Sequence, residues 1–197
     1  MAQWTANLPD VFATAQKNYP DKKLEIYFED EARFGQKGYL VRGWYPRGTR
    51  PEVIKQNRFS CAYITTAASP STGKNFSIIT SCMDSTIMQC FLSEFSENLE
   101  KDTVAFLILD QAAWHKTKTL LIPDNIRLHF LPPYSPQLNP IENLWQYVKS
   151  NFLSARVYKD LEAIITTGCS VMSSLTKEII QSVCHRDFCS NEYLATN

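Results

Sequence analysis

The chain has 197 residues, 44% of them hydrophobic and 20% charged, which suits one ordinary compact domain and excludes disordered and fibrous classes. No apolar run approaches the ~18 residues of a membrane-spanning helix, and the start lacks the basic-then-apolar layout of a signal peptide, so a soluble, intracellular protein is expected. The formal net charge of zero argues against a general nucleic-acid coat protein, yet it conceals a segregation of sign along the chain.

Residues 1–23 form a lead-in with room for at most one short helix. Residues 24–30 alternate and are rich in β-formers, so they read as a strand ending at Asp30. Residues 33–58 then hold seven basic side chains (Arg33, Lys37, Arg42, Arg47, Arg50, Lys55, Arg58) against one acid, Glu52, with Tyr39, Trp44 and Tyr45 interleaved. Punctuated by glycine and proline, this stretch reads as a long hairpin or loop. It can neutralise phosphates and stack on bases, and it can equally be a solvated face. Two more strands are expected at 59–66 and 76–82, joined by a turn at 69–74.

From 85 to 99, Ile87, Met88, Phe91, Leu92, Phe95 and Leu99 recur at helical spacing and predict an amphipathic helix that packs on the sheet. Residues 104–110 are a near-continuous apolar run, the mark of a strand buried on both faces, and this run too ends in an aspartate, Asp110. A short strand at 126–131 precedes a proline-rich loop. A helix then spans about 140–152, with Ile141, Leu144, Trp145, Val148 and Phe152 on its buried face. Further helices near 160–173 and 176–184 lie in a helical C-terminal region, 154–197. The whole describes a mixed α/β layer in one domain.

The six cysteines include no C-x-x-C pair and read as free thiols. Cys184, His185 and Cys189 lack a second ligand pair for zinc. His129 and His185 are read as structural.

Parity places Leu24, Ile26, Phe28 and Asp30 on one face of the first strand, and Val104, Phe106, Ile108 and Asp110 on one face of the later strand. If the two strands are parallel neighbours, both carboxylates emerge at one carboxyl edge, where open α/β sheets build their sites. A divalent cation converts the repulsion of such a pair into shared coordination. Glu142 would add a third carboxylate, and three suit two metal ions in phosphoryl displacement. Each residue has a plainer reading. A strand-terminal aspartate also starts turns, and Asn139, Pro140 and Glu142 also fit a capping-box arrangement. Glu29 and Glu31 point to the opposite sheet face and read as structural.

Two long motifs decide between these readings. Asp110-Gln111-Ala112-Ala113-Trp114-His115-Lys116, followed by Leu131-Pro132-Pro133-Tyr134-Ser135-Pro136-Gln137-Leu138-Asn139-Pro140-Ile141-Glu142-Asn143-Leu144-Trp145, resembles the DDE transposases of bacterial insertion sequences related to the mariner superfamily. Phe28-Glu29-Asp30-Glu31-Ala32-Arg33-Phe34 resembles their first-aspartate motif. The resemblance implies a ribonuclease H-like fold of strand order 3-2-1-4-5. It also implies that Asp30, Asp110 and Glu142 hold two Mg2+ ions, with Mn2+ as a substitute. The 31 residues between Asp110 and Glu142 are slightly fewer than in many relatives, and Gln111 stands where many have asparagine.

The implied activity is metal-dependent cleavage at transposon ends and transfer of the freed 3′-hydroxyl into target DNA. The implied partners are the terminal inverted repeats, a target with a TA preference, and a second copy of the chain on the DNA. In a bacterium the expected location is cytoplasmic, at the nucleoid. The basic loop lies where relatives insert a loop that contacts DNA or the partner subunit, so Arg33, Arg42, Arg47 and Arg50 are candidate DNA contacts. His115 and Lys116 join them because they follow the second aspartate closely; for His115 the plainer reading is a hydrogen-bonding surface histidine beside Trp114. The helix-turn-helix reader that usually precedes such a catalytic domain is expected to be absent. The alternatives are a related nuclease that cuts without joining and a silent remnant that binds DNA or full-length transposase.

Overall fold

The computed structural model describes residues 2–37, 45–49, 52, 56–190 and 193–194. Arg42 and Arg50, with Tyr39, Trp44 and Lys55, lie outside the described residues. The described part is built on five strands, β1 (Lys23–Gly35), β2 (Cys61–Ala68), β3 (Asn75–Thr80), β4 (Thr103–Leu109) and β5 (Ile126–Phe130), in the order β3-β2-β1-β4-β5. The β1-β2 and β2-β3 pairs are antiparallel, whereas β4 is parallel to both β1 and β5. This is the ribonuclease H-like sheet that the resemblance implied.

Among the described residues five α-helices cover the sheet: α1 (Ala2–Lys17), α2 (Ser85–Asn98), α3 (Ile141–Val148), α4 (Leu161–Ser174) and α5 (Lys177–Val183). Alternation along β1 divides the core in two. Tyr27, with Ala105 and Leu107 of β4, meets Met88, Phe91, Leu92 and Phe95 of α2 on one face. Ile26 and Phe28, with Phe106 and Ile108, meet the other four helices on the opposite face. Asp84 starts α2 by accepting the amides of Thr86 at 2.8 Å and Ile87 at 3.0 Å.

Three elements depart from the sequence reading. β1 does not stop at Asp30 but continues to Gly35, because Ala32 and Phe34 carry the apolar face onward against β2. The lead-in forms a 16-residue helix despite Pro9, longer than the short helix expected. Packing outweighs the lost backbone bond: Leu8 is buried, Phe12 meets Phe106 edge-on, and Trp4 stacks on His129. Finally, α3 widens into a π-helical turn at Lys149–Leu153, so the single helix expected over 140–152 has two geometries.

The turn between β2 and β3 needs glycine. Gly73 has φ +72°, and a Cβ there would sit 2.4 Å from the backbone oxygen of Lys177. The loop between β1 and β2 is anchored at its base, where Gln36 and Gln56 both donate to the carbonyl of Tyr158. No helix among the described residues is long and apolar enough to cross a membrane.

Candidate active site

Strand register brings the two aspartates level. The parallel ladder pairs Lys23 with Thr103 through Phe28 with Ile108, so the same offset carried two residues further sets Asp30 beside Asp110. β4 ends at Leu109 while β1 runs on, which leaves Asp110 at the carboxyl edge of the sheet. The third element is α3, which buries Ile141, Leu144, Trp145 and Val148. Glu142 and Trp145 are three residues apart and share a helical face. Trp145 donates its indole N–H to Oδ2 of Asp30 at 3.0 Å. Asp30, Asp110 and Glu142, with Gln111, Lys116 and Tyr134, line one open cavity of about 470 Å³.

The two aspartates differ electrostatically. Burial, reinforced by Glu142 and Glu31, raises the pKa of Asp30 from 3.8 to about 7, against the opposing hydrogen bonds from the Glu31 backbone and Trp145. Asp110 is held below its ordinary value, chiefly by the hydrogen bond from His115. Three hard oxygen donors around one cavity, with repulsion concentrated on Asp30, fit a divalent cation such as Mg2+ or Mn2+.

His115 is neither a surface residue nor free to meet a phosphate, which corrects both readings of it. It is only 3% exposed. Nδ1 lies 2.9 Å from Oδ1 of Asp110, and Nε2 lies 3.1 Å from Oε1 of Glu31 and 3.3 Å from Oε2 of Glu29. Burial opposes the charged form, but these carboxylates outweigh it and raise the His115 pKa to about 11. Glu29 is fully buried. Among the described residues its carboxyl oxygens accept no hydrogen bond, and burial followed by the charge of Glu31 raises its pKa. Parity correctly put Glu29 and Glu31 on the face opposite Asp30. What it missed is that His115 folds back to meet them.

The capping-box reading of Glu142 is not realised. The amide of Asn139 that Glu142 would cap already donates to Pro136 O at 2.9 Å. Asn139 starts the helix by itself: its Oδ1 accepts the Ile141 amide at 3.1 Å, and its Nδ2 donates to Glu29 O at 3.0 Å. Glu142 is exposed toward the cavity.

Lys116 stands at the cavity rim, donating to Gln111 Oε1 at 2.7 Å, while Gln111 donates to Leu131 O at 2.8 Å. Arg33 and Arg47 are exposed. All six cysteines are free, as expected, and among the described residues no metal cluster forms at Cys184, His185 and Cys189. His129 stacks between Trp4 and Phe106.

Residues 25–165 match the family model of the DDE superfamily endonucleases. The chain belongs to that family. A protein of uncharacterised function from Sinorhizobium fredii (strain NBRC 101917 / NGR234), y4pE/y4sA, is 44% identical over 117 residues, which is 59% of this chain and 87% of that protein. An uncharacterised 39 kDa protein of insertion element IS630 from Shigella sonnei is 24% identical over 125 residues, 61% of this chain and 36% of that protein. Among solved structures, the Mos1 transposase paired-end complex with the left transposon end superposes with a TM-score of 0.64 at 13% identity. The mariner Mos1 paired-end complex with Mg superposes at 0.62 and 14% identity. Each covers 92% of this chain, while the chain spans 57% of the Mos1 chains. This DDE chain therefore shares the fold of the mariner transposase catalytic region, as its motifs implied.

Proposed function

We propose that this DDE chain cuts DNA at the ends of a mobile element and joins the freed 3′-hydroxyl to target DNA, with Asp30, Asp110 and Glu142 as its metal ligands. The observation that carries this reading is the convergence of three carboxylates, from β1, the end of β4 and α3, on one open cavity in a member of the DDE family. Two divalent ions, Mg2+ or Mn2+, would activate the attacking oxygen and stabilise the leaving oxygen in an in-line displacement. The paired-end complexes of Mos1 with Mg and with a transposon end support the choice of metal and substrate.

The chain's own residues supply the rest. Asp30 is held within the sheet, Asp110 at its edge by hydrogen bonds to Oδ1, and Glu142 on the docked helix, so the ligands are ordered before substrate arrives. Lys116 at the rim, with Arg33 near the end of β1 and Arg42, Arg47 and Arg50 of the basic stretch that follows, neutralises phosphates of double-stranded DNA. In the first reaction a water oxygen bonds to phosphorus and the 3′ oxygen leaves with a proton. In the second, the oxygen of that 3′-hydroxyl gives up its proton and bonds to a target phosphorus, and the target's own 3′ oxygen leaves and takes up a proton. The proposed substrates are terminal inverted repeats and a TA-containing target, bound by a homodimer in the cytoplasm at the nucleoid.

The test is a cleavage and joining assay on paired terminal repeats with Mg2+ or Mn2+. Wild type is expected to nick and join, and Asp110→Asn to do neither while remaining folded. Nicking by Asp110→Asn at the wild-type rate would overturn the ligand assignment. Cutting without joining would instead identify a nuclease, and binding without cutting a silent remnant.

A further inference from the structure

β1 offers the site more than Asp30. Its next-door residues, Glu29 and Glu31, lie on the opposite sheet face, where they meet His115. His115 in turn reaches the carboxylate of Asp110 at the end of the neighbouring strand. One strand thus touches both aspartates, the first directly and the second through a histidine.

We infer that His115 is a positioning residue that transmits the fixed placement of Glu29 and Glu31 to Asp110 and selects the rotamer in which Asp110 binds metal. The inference rests on the reading of Asp30, Asp110 and Glu142 as metal ligands. Asp110 needs such a support. It is the first residue beyond β4, and its side chain is 56% exposed. An exposed carboxylate at a strand end rotates freely unless something holds it. Among the described residues this one is held by the Ala112 amide at 2.8 Å and by His115 Nδ1 at 2.9 Å, both at Oδ1. Oδ2 is thereby left to serve the cavity.

The histidine is itself fixed from behind. Trp114 donates its indole N–H to Glu31 Oε1 at 2.7 Å and packs edge-on to the imidazole at 5.9 Å, so the carboxylate facing Nε2 and the ring plane are set together. Glu29 completes the pocket, fully buried and, among the described residues, accepting no hydrogen bond. Such a residue adds nothing to stability by itself. Its place 3.3 Å from Nε2 lets it fix the ring. Nδ1 faces Asp110 Oδ1 at 2.9 Å while Nε2 faces Glu31 Oε1 at 3.1 Å, so the ring is held at both ends and its Nδ1 edge is turned to Asp110. Hydrogen-bonding partners of metal ligands commonly change metal affinity by ~10–100-fold when removed.

The experiment measures Mn2+ binding to the full chain without DNA, by calorimetry or electron paramagnetic resonance, alongside thermal melts. In His115→Asn the side-chain amide occupies the place of Nδ1 and keeps the bond to Asp110. In His115→Gln it reaches toward Glu31 and loses that bond. The expected result is ~10–100-fold weaker Mn2+ binding for the Gln variant and a loss below about threefold for the Asn variant. Equal affinities for the Gln variant and wild type, or equally weak binding by both variants, would overturn the inference. If His115→Gln does not fold, Glu31→Gln loosens the ring at Nε2 instead; weaker binding then supports the inference and unchanged binding overturns it. Mn2+ retained by the Asp30→Asn/Glu142→Gln double variant but lost on adding Glu29→Gln would also overturn it, by making the buried cluster the metal site. A wild type that binds no Mn2+ would refute the underlying ligand reading, whereas binding that ignores every change at His115 and Glu31 would refute this inference alone.

Discussion

Trp145 donates its indole N–H to Asp30 across 3.0 Å, tying the helix of the third carboxylate to the strand of the first. This bond opposes the rise in the Asp30 pKa. Trp145→Phe keeps an aromatic ring in the core but removes the donor, so the Asp30 pKa should rise above about 7. Stability above that pH should fall by about 1–3 kcal/mol, the cost of an unsatisfied buried acceptor. Carbon-13 NMR titration of the aspartate carboxyls and urea melts would check both; an unchanged Asp30 titration would count against the bond.

The same carboxyl predicts a link between pH and metal. Its pKa is 3.8 in an ordinary setting and about 7 when folded, so between these values the folded protein binds the extra proton. Its contribution is therefore complete below about pH 4 and is lost as pH rises toward 7. Metal-free melts should show Tm falling across that window, and Mg2+ should restore Tm most strongly at and above pH 7. A restoration independent of pH would show that Asp30 is not a ligand.

Glu142→Gln and Glu142→Ala should both melt within a few degrees of wild type, because Asn139 and Pro136 satisfy the helix start without the glutamate. Both variants should lose nicking by about two orders of magnitude or more, since neither side chain provides an anionic ligand. An active Gln variant would remove Glu142 from the ligand set.

Gly168 lies where α4 crosses the sheet, and a Cβ there would stand 2.6 Å from Phe34 Cζ and 2.9 Å from Ile79 Cδ1. Alanine gains about 1 kcal/mol of helix propensity, but overpacking costs about 1–3 kcal/mol. Because Phe34 is itself buried, we expect Gly168→Ala to be net destabilising in chemical denaturation. A stabilised variant would mean that the helix can move off the sheet without loss.

Tyr134, at the cavity rim, combines a fully exposed ring with φ +55°, a conformation that favours glycine. Tyr134→Gly should raise stability by about 0.5–1 kcal/mol, because it relieves the strain and removes no packing. Differential scanning calorimetry gives the sign directly. If the stabilised variant also cleaves DNA less well, the ring contacts substrate; equal cleavage would mean that it does not.

Local pattern was enough to find most elements and the chemical parts. Alternation in β1 set Asp30 apart from Glu29 and Glu31, the apolar run of β4 pointed to Asp110 at its end, and helical spacing put Trp145 on the buried face of α3. These features were legible because each depends on neighbours within a few residues. Strand register, by contrast, sets Asp30 beside Asp110, and it is fixed by the packing of whole strands 80 positions apart. Tertiary structure alone decided that His115 turns inward to Glu29, Glu31 and Asp110, that Glu142 takes no part in the cap that Asn139 forms on α3, and that a helix containing Pro9 packs through Phe12 against Phe106. A periodic sequence specifies which side chains share a face. Which groups they meet there is determined only when distant segments exclude water from the same surface.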